Sequence, residues 1–112
     1  MSAAKAKGTR WESELVAAFH RAGFPHVERR ALNGAADRGD LTGVPGVVVE
    51  AKDQMRHSFA EWLDEAEQEA ANDGDAIGVV WAHRRGKARG EDGYVVMTGR
   101  TFLELLIEAG YR

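Results

Sequence analysis

Three charged residues around one apolar segment have the types and spacing for metal chemistry. The run Val47-Val48-Val49-Glu50-Ala51-Lys52 follows Asp40 after a short gap. A β-branched apolar run predicts a buried strand, and side chains alternate between strand faces, so Glu50 and Lys52 should share one face. Two charges at the end of a core strand are costly unless a partner compensates them. Asp40, with a divalent cation between the carboxylates, is one such compensation.

Each of these residues has a chemical role in that arrangement, and most have a simpler alternative. Asp40, Glu50 and the backbone carbonyl of Ala51 would bind the cation, and such hard oxygen ligands favour Mg²⁺, with Mn²⁺ as a substitute. Lys52 would orient a metal-activated water or stabilise developing negative charge. The alternatives are a surface ion pair between Glu50 and Lys52, worth at most about 1 kcal/mol, and a turn-capping role for Asp40. Asp37 is a second candidate ligand, although Asp40 fits the spacing better.

The elements that must position these residues alternate between helix and strand. Apolar residues at helical spacing predict helices over 9–22, 59–72 and 101–110. Ser58 and Thr101 each precede a glutamate by three residues, which is the spacing of a capping box. Predicted strands cover 27–32, 40–44, 47–52, 76–82 and 94–98. This αβββαββα order predicts an α/β fold with a central mixed sheet flanked by helices.

Length and composition limit the class of protein. The 112 residues form one predicted domain, 1–112, with residues 1–8 as a flexible N-terminal arm. The absence of cysteine excludes disulfides, thiolate metal sites and cysteine nucleophiles. We expect a cytoplasmic protein, since no signal-peptide core and no membrane-length apolar run is present. No phosphate-binding Gly-rich loop occurs, so we expect no nucleotide cofactor.

The charges are distributed unevenly along the chain. The net charge of −3 argues mildly against nucleic-acid binding, and the acids of residues 61–75 include no base among them. A phosphate-binding face needs local positive charge rather than a positive total, and ordinary solvated charges are the alternative. Bases gather in three groups: Lys5, Lys7 and Arg10; Arg21, Arg29, Arg30 and Arg38; and Arg84, Arg85, Lys87 and Arg89.

Four segments in the first half of the chain form a known combination. They are Lys7-Gly8-Thr9-Arg10-Trp11-Glu12-Ser13-Glu14-Leu15-Val16, Gly23-Phe24, Arg38-Gly39-Asp40 and Glu50-Ala51-Lys52. Together they resemble the archaeal-type Holliday junction resolvases of the PD-(D/E)xK nuclease superfamily. The resemblance implies a restriction-endonuclease-like αβββαβ core, here with an extra strand and a C-terminal helix. Gly39 stands where the motif has proline, and the alanine, arginine and glycine usage resembles small nucleases of actinobacterial phages, whose setting would be the bacterial host cytoplasm.

This resemblance implies a Mg²⁺-dependent, structure-selective DNA endonuclease of recombination and repair. It would make paired, symmetric nicks in Holliday junctions by metal-activated water attack, and two symmetric nicks imply a homodimer. By resemblance Glu12 is an additional acidic metal ligand, and a carboxylate favoured at a helix N-terminus is the alternative. Gln54 would hold a water or phosphate oxygen next to the metal, or is simply a polar residue leaving the strand. DNA contacts are expected from Lys7, Arg10, Arg29, Arg30, Arg38, Arg84, Arg85 and Lys87.

Several alternatives stay open at the level of sequence. The loop 83–90 is either a mobile basic flap over DNA or a solvated hairpin tip. The enzyme could instead be a restriction-like or repair nuclease acting on duplex or single-stranded DNA. A non-catalytic nucleic-acid-binding protein on the same fold is the other hypothesis, with the acidic helix as a protein-docking surface. A dimer interface is expected near Trp81 and the segment Phe102-Leu103 to Leu106.

Overall fold

The computed structural model describes residues 2–30, 39–74 and 76–112, and within these ranges the chain is an α/β protein. The helices are α1 (Ala3–Arg21), α2 (Phe59–Asn72) and α3 (Gly99–Glu108). The strands are β1 (Glu28–Arg29), β2 (Leu41–Thr42), β3 (Val47–Lys52), β4 (Ile77–Ala82) and β5 (Tyr94–Val96). The order of elements is the predicted one. In these ranges, no helix combines the length and the apolarity needed to cross a bilayer.

In the described residues two small sheets carry the strands, so the prediction of one central mixed sheet is not confirmed. β1 and β2 form an antiparallel pair, and a three-stranded sheet has the order β3-β4-β5. β3 and β4 are parallel, with α2 as the connection between them, and β5 is antiparallel to β4. Asp40 joins the two sheets, because its backbone N–H donates to the carbonyl of Val49 at 3.0 Å.

Helices cover both faces of the β3–β4 pair. On one face, Trp11 and Leu15 of α1 form a buried cluster with Val49 and Val79. On the other face, Trp62 and Ala66 of α2 pack with Val80 and Ala82. Because side chains alternate along a strand, Val49 and Ala51 face α1, and Glu50 and Lys52 face α2. The predicted common face of Glu50 and Lys52 is confirmed.

The helix ends differ from the predicted ones in three places. α1 begins at Ala3 instead of residue 9, with the Ser2 side chain as its cap, so the predicted N-terminal arm is the first part of this helix. Its alanines and lysines are strong helix formers, which explains the extension. Ser58 precedes α2 but makes no side-chain capping bond. α3 is capped by Thr98, which accepts from the Thr101 backbone N–H at 3.1 Å, so Thr101 is not the cap.

The first two strands are shorter than predicted. β1 and β2 have two residues each, against predicted strands over 27–32 and 40–44. Gly43 ends β2 with a φ of +98°, and a Cβ there would lie 2.3 Å from the carbonyl oxygen of His26. Only glycine fits this conformation without strain, and it interrupts the extended backbone. The predicted strand residues 31 and 32 lie outside the described ranges.

Candidate functional site

Asp40 is held at the outer edge of β3, beside Glu50. Its backbone is bonded on both sides, to the Arg30 N–H at 2.9 Å and to the Val49 carbonyl at 3.0 Å. Its side-chain Oδ2 accepts from the Ala51 N–H at 2.7 Å. Burial and the negative charge of Glu50 raise the pKa of Asp40 to about 7, although the Ala51 hydrogen bond opposes this shift. Asp40 is therefore a partly buried carboxyl whose pKa lies near neutral pH.

The backbone conformation of Gly39 explains why proline does not stand before this aspartate. Its φ is +94°, whereas the proline ring fixes φ near −65°. A Cβ at this position would come within 2.6 Å of a Val48 methyl carbon and 3.1 Å of the Val49 carbonyl oxygen. The backbone must pass this close to β3 for Asp40 to reach the Ala51 N–H. The departure from the proline of the motif is therefore a local requirement of this chain.

Glu50 is the most deeply buried acid of the predicted site, with 6% of its surface exposed. It points at α2, where carboxylate oxygens of Glu50, Glu65 and Glu69 lie within 4.8 Å of one another. Burial, followed by the neighbouring Glu69 carboxyl, raises the pKa of Glu50 well above its ordinary value. Its Oε2 atom is buried without a hydrogen-bond partner among the described residues. An ionised Glu50 is therefore costly on the side that faces the other carboxyls, where only a further cation or a proton would compensate it.

Lys52 partly compensates the acids around it. Its Nζ lies 3.3 Å from Glu50 Oε1 and 3.5 Å from Glu65 Oε1, and 5.8 Å from the centre of the Trp62 ring. Burial alone would lower the pKa of Lys52, but the two glutamates outweigh it and raise that pKa. The Lys52 and Glu50 side chains are both largely buried, so the alternative of a weak surface ion pair is wrong. The expectation that Asp40 and a cation are the partners of these charges is also incomplete, since α2 supplies Glu65.

Glu65 and Glu69 were not among the site residues predicted from the sequence, in which the acids of residues 61–75 stood out only as one group and as a protein-docking surface. Glu69 has only 2% of its surface exposed. The signal was its spacing: Glu69 follows Trp62 by seven residues and Ala66 by three, so it falls on the buried stripe of α2. A glutamate in phase with a buried stripe indicates a specific role, because an acid is rarely buried without a partner.

Glu12 lies on the Asp40 side of the site. Its negative charge contributes to the raised pKa of Asp40. Because α1 begins at Ala3, Glu12 is far from the first turn, and the alternative of a helix N-terminal carboxylate is wrong. Its Oε1 accepts from Arg29 Nε at 2.9 Å. Arg29, predicted to contact DNA, is thus engaged in an ion pair within the chain.

The other predicted DNA-binding residues are dispersed over the molecule. Arg30 lies next to Asp40 through its backbone, and its Nε is buried without a partner among the described residues. Lys7 pairs with Asp53 at 3.5 Å, and Arg10 is exposed on α1. Arg38, like Asp37, lies outside the described residues.

The basic group that contains Arg84, Arg85 and Lys87 lies beyond the carboxyl ends of β3 and β4. The Arg84 guanidinium lies 5.7 Å from the centre of the Tyr94 ring, and Lys87 is exposed in the same loop. Gln54 and Arg85 line a cavity beyond the end of β3. Gln54 is thus exposed at this cavity, three residues before the aromatic His57.

The basic loop is fixed at both ends. The His83 N–H donates to the Lys52 carbonyl at 2.8 Å at one end. At the other end, the Gly90 N–H donates to Glu14 Oε2 at 2.7 Å, and Arg21 bridges Glu14 and Glu91 at 2.6 and 2.7 Å. These bonds raise the pKa of Arg21 and lower that of Glu91 to about 2. Glu14 of α1 therefore binds the base of this loop.

Comparisons with known proteins give no match: no family model, no curated protein and no solved structure corresponds to the chain. The resemblance to junction resolvases therefore depends on the motif residues themselves and on the chemistry that their arrangement permits.

Proposed function

We propose that the chain is a metal-dependent DNA endonuclease that nicks branched DNA, with four-way junctions as its substrate. One observation carries the proposal. The negative charge of Glu50 contributes to the raised pKa of Asp40, and the Glu50 carboxyl is itself buried beside the carboxyls of Glu65 and Glu69. A cation placed against these carboxylates would relieve their repulsion, which no described residue other than Lys52 is seen to do. Strongly perturbed acids next to a lysine are typical of active sites.

The donor set fits a hard divalent cation. Asp40 and Glu50 supply carboxylate oxygens, and the Ala51 carbonyl and Glu12 are the further predicted donors. Oxygen-only ligands of this kind suit Mg²⁺ or Mn²⁺ and exclude a thiolate-bound metal, because the chain has no cysteine. When bound, such an ion polarises a phosphate and lowers the pKa of a coordinated water.

The residues of the chain itself then have separate tasks. The Ala51 N–H fixes one oxygen of Asp40 at 2.7 Å, which sets the orientation of that carboxylate. Lys52 is held by Glu50 and Glu65, so its ammonium stays charged and in place to stabilise negative charge on the phosphate. Glu12, through its ion pair with Arg29, brings a guanidinium to the same side of the site. That guanidinium is half exposed and can contact a neighbouring phosphate.

The element order and the connection of the strands are consistent with the proposed enzyme class. In the described residues the helices and strands follow the expected α-β-β-β-α-β order, and α2 connects the parallel strands β3 and β4. A dimer would place two such sites on one junction. Exposed apolar side chains available for self-association lie on α3, with Leu103 61% exposed and Phe102 and Ile107 also exposed, and on the edge strand β5 at Val95. Trp81, by contrast, packs against Phe19 and is less suited to an interface.

A cleavage assay tests the proposal. Purified protein is incubated with labelled four-way junction, fork, duplex and single-stranded DNA, each with Mg²⁺, Mn²⁺ or EDTA. We expect metal-dependent, symmetric nicks in the junction that are lost in Asp40→Asn and Lys52→Ala and retained in the exposed α2 variant Glu67→Gln. Cleavage of every substrate would instead indicate a restriction-like or repair nuclease. Full activity of either site variant would refute the assignment of the site.

A non-catalytic DNA-binding protein is the second candidate, and one contact favours it. Lys52 already neutralises part of the charge of Glu50 and Glu65, so the charged cluster has an internal partner without a cation. Titration calorimetry separates the two functions. Carboxylate-dependent binding of Mn²⁺ in the wild type, lost in Asp40→Asn, supports the enzyme. DNA binding without any metal binding or cleavage supports the second candidate.

A further inference from the structure

A cavity of about 250 Å³ opens beyond the carboxyl ends of β3 and β4, immediately after Lys52. Lys7, Asp53, Gln54, His57, His83 and Arg85 line it. The two parallel strands end side by side here, with Lys52 opposite Ala82, and the next residue, His83, is bonded to the Lys52 carbonyl. Ligands of open α/β sheets bind outside the carboxyl ends of the parallel strands. We call this cavity the strand-end pocket.

The floor of the strand-end pocket is preformed. The Asp53 side chain is only 11% exposed and holds two wall residues, Lys7 at 3.5 Å and His83 Nδ1 at 2.9 Å. The His83 ring in turn packs on Trp11, with 4.6 Å between the ring centres, and its Nε2 lies 2.7 Å from the Lys87 carbonyl oxygen. Each wall residue is thus fixed by another contact, as is usual in a binding pocket formed before its ligand arrives.

A group of aromatic rings adjoins the pocket through His57, which lines it. The exposed His57 ring stacks on Phe59, with 4.9 Å between centres and 28° between planes. Tyr94, 41% exposed, meets His57 edge-on at 5.9 Å and carries the Arg84 guanidinium at 5.7 Å. We call His57, Phe59 and Tyr94 the aromatic rim. Exposed ring faces next to a guanidinium form a surface on which a flat, electron-rich ring can stack.

The charge around the pocket selects an anionic ligand. Its wall carboxylate, Asp53, is already paired with Lys7 and His83, whereas Arg84 and Arg85 are exposed. A positive groove combined with aromatic side chains is the usual means of binding single-stranded nucleic acid. The volume lies below the roughly 300 Å³ at which pockets for drug-sized ligands begin, so the pocket admits no more than one nucleotide.

We propose that the strand-end pocket and the aromatic rim hold one unpaired nucleotide of the DNA strand next to Lys52. The base stacks on the exposed His57 ring and contacts Tyr94, whose plane lies at 78° to that of His57, and its phosphate lies toward Lys7 and Arg85. This inference rests on the proposed function and narrows its substrate class to DNA with an unpaired segment at the cleavage point, such as a fork or an opened junction centre. Perfect duplex would leave the aromatic rim without a ligand.

Fluorescence anisotropy in EDTA tests this inference without cleavage. The full chain is titrated against labelled oligo(dT) and against blunt duplex at one fixed ionic strength. Base–aromatic stacking predicts that His57→Ala and Tyr94→Ala each weaken oligo(dT) binding by roughly 5- to 150-fold and leave duplex binding unchanged. Tyr94→Phe keeps the ring and should bind as the wild type does. Tyr111→Ala, at an exposed aromatic near the C-terminus, is the matched control.

The outcomes separate this inference from the proposed function. Equal oligo(dT) affinities in the wild type and both alanine variants would overturn the pocket, as would an equal loss on duplex. If the wild type nonetheless cuts junctions, only the pocket assignment fails. If the alanine variants lose oligo(dT) binding while the wild type cuts no substrate with Mg²⁺ or Mn²⁺, the pocket stands and the nuclease is refuted. Thermal melts of each variant ensure that lost binding is not lost folding.

Discussion

Replacing Glu50 by glutamine should make the metal-free protein more stable, and this prediction tests what Glu50 is for. Burial and the adjacent Glu69 raise the pKa of Glu50 on folding. The folded state therefore keeps a proton that the unfolded chain releases above about pH 4.5. The stability contributed by that proton is complete below about pH 4.5 and is lost as the pH rises through the raised pKa. Glutamine imitates the protonated side chain at every pH and removes this loss.

The size of the effect follows from proton linkage. One retained proton changes the free energy of unfolding by about 1.4 kcal/mol per pH unit. Between pH 5.5 and 7.5 the wild type should therefore lose about 3 kcal/mol relative to Glu50→Gln. Asp40 adds a slope of the same sign up to about pH 7 in the wild type, and Glu50→Gln removes one cause of its raised pKa, so this contribution is smaller in the variant and adds to the difference.

Urea denaturation followed by tryptophan fluorescence, in EDTA, measures this difference, since Trp11 and Trp62 are both buried. Glu67→Gln, an exposed position on the same helix, is the control and should follow the wild-type curve. Adding Mg²⁺ should then stabilise the wild type and not Glu50→Gln, because a ligand stabilises only the protein that binds it.

The opposite sign would refute the reasoning. If Glu50 served only as the structural partner of Lys52, glutamine would break a buried ion pair, because Lys52 would lose the Glu50 carboxylate. Such a break destabilises by about 3–5 kcal/mol. A Glu50→Gln protein less stable than the wild type at pH 7.5, with a parallel pH profile, would identify Glu50 as a structural residue.

Four further predictions address the site, the DNA surface, the dimer and the packing of the sheet. Asp40→Asn should reduce junction nicking on the order of 10³-fold with DNA affinity retained, as measured by single-turnover cleavage and anisotropy. The double variant Arg84→Ala/Arg85→Ala should lower the salt dependence of DNA binding, log Kd against log salt, by about 1 to 2, since each lost phosphate contact removes about 0.9. Leu103→Asp should convert a dimer to a monomer in sedimentation velocity, and an unchanged sedimentation coefficient would place the interface elsewhere. Gly78→Ala should destabilise by about 3 kcal/mol or more in urea denaturation, because its Cβ would lie 2.4 Å from a backbone carbonyl oxygen of α2; a loss below about 1 kcal/mol would show that the helix can shift.

Local patterns of the sequence predicted the elements that depend on local physics. β3 has the predicted bounds, because a β-branched run follows Pro45-Gly46 and needs no distant information to be extended. α2 also has its predicted bounds, from the spacing of its apolar stripe. The common face of Glu50 and Lys52 follows from the pleat of a strand alone.

The features that were mispredicted depend on which segments meet in space. The ends of β1 and β2 depend on a close backbone approach at Gly43. The capping of α3 is a local exception, in which the Thr98 side chain, and not Thr101, caps the helix. The contact of Glu50 with Glu65 and Glu69 depends on how α2 is rotated over β3, which is a long-range property of the crossover between the parallel strands. In the sequence, this contact was indicated only by the position of Glu69 on the apolar stripe of α2.

The position of Glu50 between two acidic neighbourhoods is the strongest physical argument for chemistry at this site. Glu69 raises the pKa of Glu50 from α2, and the charge of Glu50 in turn contributes to the raised pKa of Asp40 at the edge of β3. Lys52 supplies one positive charge for this set of carboxylates, so ionising all of them would leave the cluster with excess negative charge. A glutamine or an apolar residue at position 50 would satisfy the packing of β3 against α2 at lower cost. A group that opposes folding is expected where binding or catalysis requires it, and a cation against Asp40 and Glu50 is the partner that would make their buried charges favourable.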